Sequence, residues 1–264
     1  MFTTLYIREL QNYLYSLRFQ VSFVIVVLVF TLGSVSFASS FKDMHDNYTK
    51  YSVAQQEAIG KQAENISKVA TARNSFIISP RENSVIADCK ESYLPNRITY
   101  SAYNVFDYSV RHDSNNPLLI RTDSLSWSFI VSMFLSFITL LFAFDAISGE
   151  KEERTLALVF SNAVPRSTFL CSKLLSIITV IGVMELVGII ISLIILAVSG
   201  QVQLNSSFLI ETAGFILISL LFITTFAVFG LLSSVVTRYS NISLLISLCF
   251  WLFAAVVIPN TSVF

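Results

Sequence analysis

Five long apolar runs divide the chain: Phe19 to Ala38, Trp127 to Ile147, Leu174 to Val198, Phe208 to Ser233 and Ile242 to Ile258. Each approaches the roughly 20 residues that a helix needs to cross the hydrocarbon core of a bilayer. Polar or turn residues flank each run, so the pattern predicts five membrane-spanning helices rather than core helices of a soluble domain. Before the first run, Leu5-Tyr6, Leu10, Tyr13-Leu14 and Leu17 recur at helical spacing. Residues 1–18 are therefore predicted to form a helix lying in the membrane interface. Arg8 and Arg18, followed by the apolar run and by Ser36-Phe37-Ala38, also satisfy the outline of a cleaved signal. The run exceeds a usual signal core, and an uncleaved span over 19–38 is the better expectation.

The polar stretch 39–126 interrupts this pattern. Tyr51 to Arg73 is rich in Gln, Glu, Lys and Ala, and Tyr51, Ala58, Ile59, Ile66 and Val69 supply one apolar stripe of a helix. Farther on, Ile77-Ile78, Tyr93, Ile98 to Tyr100 and Tyr103 to Tyr108 lie among Pro80, Pro95, Asn and Ser, a composition of short strands and turns. The predicted fold class is thus an all-α polytopic membrane protein with an α+β insert between its first and second spans.

Composition agrees: 54% of the 264 residues are hydrophobic and 13% charged, against about a quarter charged in soluble domains. A formal net charge of zero gives no basic surface for nucleic acid. Orientation follows from the short loops, since long ones cross regardless of charge. Arg8 and Arg18 precede the first span. Lys151, Arg154, Arg166 and Lys173 lie between the second and third, Arg238 lies between the fourth and fifth, and Ser199 to Ser207 has no Lys or Arg. The alternation predicts a cytosolic amino terminus, an extracytoplasmic 39–126 insert, a cytosolic 148–173 loop within the 127–258 region, and an extracytoplasmic 259–264 end.

The charged loop holds the most informative string, FDAISGEKEERTLALVFSNAVPRSTFLCSK from Phe144 to Lys173. Its acids are Asp145, Glu150, Glu152 and Glu153; Arg154, Thr155-Leu156, Pro165-Arg166 and Lys173 follow. The order resembles the loop between the second and third spans of ABC exporter permeases of the type-2 class. Arg154 stands where that family usually has Gly, and the family usually has a residue between the Pro and the Arg. The resemblance implies a permease subunit that docks through this loop on a separate ATPase subunit, which binds the ATP and Mg, so that the permease itself needs no cofactor. It also implies a homodimer or a heterodimer with a related permease, contacts with membrane lipid, and placement in a bacterial cytoplasmic (inner) membrane. Six spans are usual in that family. Five here fit either a truncated or split form or a fold without the last helix.

A loop that transmits force needs a stiff element with fixed charged contacts. Glu150 to Val159 is expected to supply one helix, with Glu152, Glu153 and Arg154 facing the partner and Leu156, Leu158 and Val159 buried against the transmembrane helices or a groove. Pro165 is expected to stop that helix, and Lys173 to open the third span. Each residue taken alone is equally compatible with a solvated loop of the positive-inside kind.

Within the spans, Glu185 is the one deeply placed acid. An ionisable group at the bilayer centre costs about 3 kcal/mol on insertion scales. Gly182, Glu185, Gly188 and Ser192 share one helix face, and close helix packing is favoured there over a substrate or proton contact. Ser128, Ser132, Ser136 and Thr139 form a hydroxyl stripe on the second span. It is expected at a helix interface, such as the seam of a permease dimer, before a polar conduit. No G-x-x-x-x-G-K-[ST], H-E-x-x-H or G-x-S-x-G string occurs. His45, His112 and Cys89 lack metal-ligand spacing, and Cys89, Cys171 and Cys249 make no expected disulfide. A non-transporting membrane anchor or sensor, with its insert binding a ligand or partner, is the rival reading. A co-purifying ATPase subunit separates the two.

Overall fold

A computed structural model describes residues 2–62, 74–87, 97–100, 107–109, 125–161, 164–200, 202 and 205–258. Among the described residues, five helical stretches are long and apolar enough to cross a membrane: Leu17–Lys61, Trp127–Glu152, Arg166–Ser199, Ser206–Val236 and Ser240–Val257. The all-α, five-span expectation holds. Large apolar side chains such as Ile210 and Leu221, about 70% exposed, are the surface that hydrocarbon accommodates.

Helix α1 (Phe2–Leu14) precedes α2 (Leu17–Gln62). Ser16 divides them: its carbonyl accepts from Phe19 N at 3.1 Å and Gln20 N at 3.3 Å, and its Oγ from Phe19 N at 3.2 Å. A serine at a helix start supplies acceptors that the first turn otherwise lacks. The sequence separated a span ending at Ala38 from a helix over Tyr51 to Arg73. In the structure α2 runs unbroken from the span into the second of these, as far as Gln62. No proline interrupts it, and the Lys, Glu, Gln and Ala after Ala38 are good helix formers. Residues 63–73 lie outside the described residues.

The chain divides into two compact units. One comprises Gly33–Ser126 and Ile195–Leu204. Its described strands, β1 (Asn74–Ile77), β2 (Arg97–Tyr100) and β3 (Asp107–Ser109), pair antiparallel in the order β1-β2-β3. Phe76 pairs with Ile98, and Ile98 with Tyr108. Tyr93 and Tyr103, also read as strand residues, are not among the described ones.

The other unit comprises Met1–Leu32, Trp127–Ile194 and Asn205–Phe264. Its second span is segmented into α3 (Trp127–Ile130), a π-helical stretch (Val131–Leu135), α4 (Ser136–Ala143) and, after a turn, α5 (Ser148–Glu152). Then come α6 (Leu156–Ser161), α7 (Arg166–Ser199), α8 (Ser206–Val236) and α9 (Ser240–Trp251), the last continued by a π-helical stretch over Leu252–Val257. Helices α4, α8 and α9 pack closely on one another. A Cβ added at Gly230 on α8 would lie 2.5 Å from that of Ala143 on α4, so the small residue lets the two backbones approach. Phe229 stacks on Phe250, their ring centroids 3.5 Å apart. Ile177, Ile181, Met184 and Ile223 are fully buried.

Candidate functional site

The expected loop helix over Glu150 to Val159 is two helices. Helix α5 ends at Glu152, a turn occupies Glu153 and Arg154, and α6 begins at Leu156. Arg154 has φ +60°, the left-handed region where a Cβ is disfavoured by about 1–2 kcal/mol. This is the position where the resemblance leads one to expect Gly. Arg154 N donates to Lys151 O at 3.2 Å and Thr155 N to Glu150 O at 3.0 Å, closing the turn. The left-handed residue breaks the helix that periodicity alone would continue.

Helix α5 is held from the far ends of the fourth and fifth spans. Ser234 Oγ on α8 accepts from Ile147 N at 2.9 Å and Ser148 N at 2.8 Å, satisfying two amides at the α4–α5 break. Lys151 Nζ donates to the carbonyls of Ser234 (3.3 Å), Val235 and Thr237 (2.9 Å). A cation is favourably placed at that helix C-terminus, where carbonyls are left over. Glu152 Oε2 accepts from Ser240 N at 3.3 Å and Ser240 Oγ at 3.0 Å, putting a carboxylate at the α9 N-terminus. Glu152, expected to face a partner, is exposed and also bonds its own chain through Oε2.

Asp145 and Glu150 are also engaged. Asp145 pairs with Arg18, whose guanidinium lies 5.3 Å from the Phe144 ring centroid. Glu150 Oε1 pairs with Lys173 Nζ at 2.8 Å, and Glu9 Oε1 meets the same ammonium at 3.2 Å. Glu150 Oε2 is buried without a hydrogen-bond partner. Lys173 does not open the third span as expected. Helix α7 starts at Arg166, leaving Lys173 buried two turns in. Pro165 is likewise corrected: it precedes α7, and its carbonyl accepts from Phe169 N at 3.2 Å, while α6 ends at Ser161. Proline suits a helix start because the amide it lacks would have no partner there.

Helix α1 lies along the first half of α7. Tyr6 Oη meets Thr179 Oγ1 at 2.9 Å, and Ser176 Oγ donates to Tyr6 O at 3.3 Å. The Tyr13 ring stands edge-on to Phe142, their centroids 5.7 Å apart. Burial, then the carboxylates of Glu9, Asp145 and Glu150, push the Tyr13 phenol well above its ordinary value, against the pull of Arg18. Sequence reasoning missed Glu9, Ser234 and Ser240, and placed Tyr13 only in the apolar stripe of the interfacial helix. Tyr6, Glu9 and Tyr13, spaced three and four apart, carried the signal of a polar helix face.

Helix α6 does not bury its apolar residues against the chain's own spans, the first of the two places expected for them. It has no buried residue, Leu158 is 68% exposed and Phe160 37%, and Glu153 and Arg154 are exposed beside them. Only Leu156 and Val159 are half-buried. The Phe160 ring is edge-on to Phe169 at 5.5 Å and lies 5.8 Å from the Arg166 guanidinium. Lys173 Nζ lies 5.1 Å from the Phe169 ring centroid. A file of rings and cations thus leads from α6 to the Glu150–Lys173 pair.

In the spans, Glu185 is buried and its Oε1 accepts from Ser219 Oγ on α8, while Oε2 has no partner. Ser192 Oγ accepts from Trp127 Nε1 at 2.8 Å. A Cβ at Gly188 would lie 2.5 Å from the Phe30 ring, and one at Gly182 would meet Leu220 at 3.2 Å. The stripe through Gly182, Glu185, Gly188 and Ser192 is therefore in contact with three other helices. Ser136 and Thr139 are fully buried within the chain. Ser136 Oγ accepts from Trp251 Nε1 at 2.9 Å. That places this end of the hydroxyl stripe against the chain's own fifth span, not at a seam between two copies. Ser128 and Ser132 are half-buried.

Five apolar spans among the described residues, with a charged, internally tied segment between the second and third, define a polytopic helical membrane protein. The model of the ABC-2 family of transporter proteins matches residues 3–264, and the chain belongs to that family. No curated protein and no solved structure matches the chain. It is accordingly a membrane permease of an ABC transporter, a kind of subunit that pairs with an ABC ATPase.

Proposed function

We propose that the segment from Glu150 to Arg166 is the surface through which an ATPase subunit drives this permease, and that the permease is an exporter. The observation that carries the reading is α6. It is a short helix with Leu158 and Phe160 exposed, joined to α5, which is bonded to the ends of α8 and α9. An apolar helix face in a groove is a common mode of protein docking. Exposed Glu153 and Arg154 add charges that set its register and on-rate. The ATP and Mg are held by the partner, consistent with a sequence lacking the phosphate-binding glycine string. Closure of two ATPase subunits would press two such segments together, and α5 would carry the displacement to α8 and α9. The second permease is another copy of this chain or a related subunit.

This end of the spans is cytosolic in the proposal, in a bacterial inner membrane, because the short-loop lysines and arginines gather there. Glu185 is read as a packing contact rather than a substrate group, since its bond is to Ser219 of the chain itself. The test is co-purification of an ATPase subunit with the full-length permease in its native host. Wild type should retain the ATPase, and Leu158→Asp with Glu153→Lys should lose it while remaining membrane-inserted. An ATPase retained equally by both would place the docking surface elsewhere. No ATPase with either would favour the anchor or sensor reading.

A further inference from the structure

Lys173 holds two carboxylates from different elements. Its side chain is 4% exposed, with Glu150 Oε1 on α5 at 2.8 Å and Glu9 Oε1 on α1 at 3.2 Å. These two elements belong to differently bonded groups of helices. Helix α5 is tied to α8 and α9 through Ser234, the three carbonyls on Lys151, and Glu152 with Ser240. Helix α1 is tied to α7 through Tyr6 with Thr179, Ser176 with the Tyr6 carbonyl, and Glu9 with Lys173. Among the described residues, Glu150–Lys173 is an ion pair between these two groups; beside it, Arg18 at the start of α2 pairs with Asp145 just before α5, and Tyr13 of α1 meets Phe142 of α4.

Stripping a buried ammonium of its only partner is strongly unfavourable and would ordinarily lock such a pair. Here the cost is reduced on both sides. Lys173 keeps Glu9 when Glu150 departs. Glu150 gives up a single ion pair, because its buried Oε2 has no partner to lose, and its side chain as a whole is 23% exposed. Helix α6 is linked to this pair from both sides, through Phe160, Phe169 and the Lys173 ammonium and through the bond from Thr155 N to the Glu150 carbonyl.

We propose that Glu150–Lys173 is a releasable latch between the α5–α8–α9 group and the α1–α7 group. Glu9 is the positioning residue that keeps Lys173 paired while the latch is open. The role assigned to it in transport rests on the reading that α6 carries force from an ATPase; the latch itself does not. Helix α1 is then part of the moving machinery and not merely an interfacial anchor.

The native cysteines provide the probe, since Cys171 on α7 and Cys249 on α9 are exposed. With Cys89→Ser, both are spin-labelled in the full-length permease in lipid nanodiscs, and their distance distribution is measured by pulsed electron resonance without ATPase or nucleotide. Glu150→Gln should raise a longer-distance population several-fold, and Glu9→Gln should leave the short distance dominant. An unchanged distribution in Glu150→Gln would overturn the latch. Equal opening in Glu9→Gln would overturn the standby role and make Glu9 an equal structural tie. Should Glu150→Gln fail to fold, Glu150→Asp shortens the side chain, keeps the charge and should shift the distribution the same way by less. Because no ATPase is present, failure here is separate from failure to recover an ATPase partner.

Discussion

Arg154 is the residue at which local strain and the coupling reading meet. Its φ of +60° is a conformation that glycine adopts without a Cβ penalty. Arg154→Gly should therefore raise stability by up to about 1 kcal/mol, or about 2–4 °C in thermal midpoint for a chain of this size. A fall in midpoint would mean that contacts of the arginine side chain outweigh the strain. Tyr13 gives a second expectation. Its phenol keeps its proton to higher pH in the folded chain than in the unfolded one. Above about pH 10, where an unperturbed tyrosine ionises, the unfolded state therefore binds fewer protons, and stability falls as pH rises. Tyr13→Phe should flatten that alkaline fall and leave the neutral range unaffected, as thermal midpoints between pH 7 and 11 would show. The order of charged residue types was legible in the string from Asp145 to Lys173. Their partners were not, because Arg18, Glu9, Ser234 and Ser240 lie far off in sequence and no local periodicity links them.

At the scale of elements, the five spans were legible because bilayer thickness fixes their length and hydrocarbon fixes their composition. Breaks and continuations were harder. The α2 helix runs past its apolar part because nothing after Ala38 stops it, and a helix does not end merely where hydropathy does. The α5–α6 break depends on one left-handed residue, which helical spacing conceals. The glycines of α8 allow a matched comparison. Gly230 faces Ala143 with no room for a methyl group, whereas a Cβ at Gly214 would meet nothing within 4 Å. Gly230→Ala should cost about 1–3 kcal/mol through overpacking, and Gly214→Ala should change the midpoint little. Similar midpoints for the two variants would show that α4 and α8 are not held at this close approach.

At the scale of the whole molecule, one segment of the permease is tied at several points to the spans and presents an exposed apolar helix outward. Family membership identifies the class of machine, and the proposal has an ATPase act on it through α5 and α6. The most direct test puts a photo-crosslinking amino acid at Leu158 on α6, and in a separate variant at Ile210 on α8, in the full-length chain in its native membrane. Leu158 should crosslink to a protein whose peptides include a phosphate-binding Walker sequence, and Ile210 should not. Crosslinking of that ATPase from Ile210 and not from Leu158 would contradict the assignment of α6 as the docking surface.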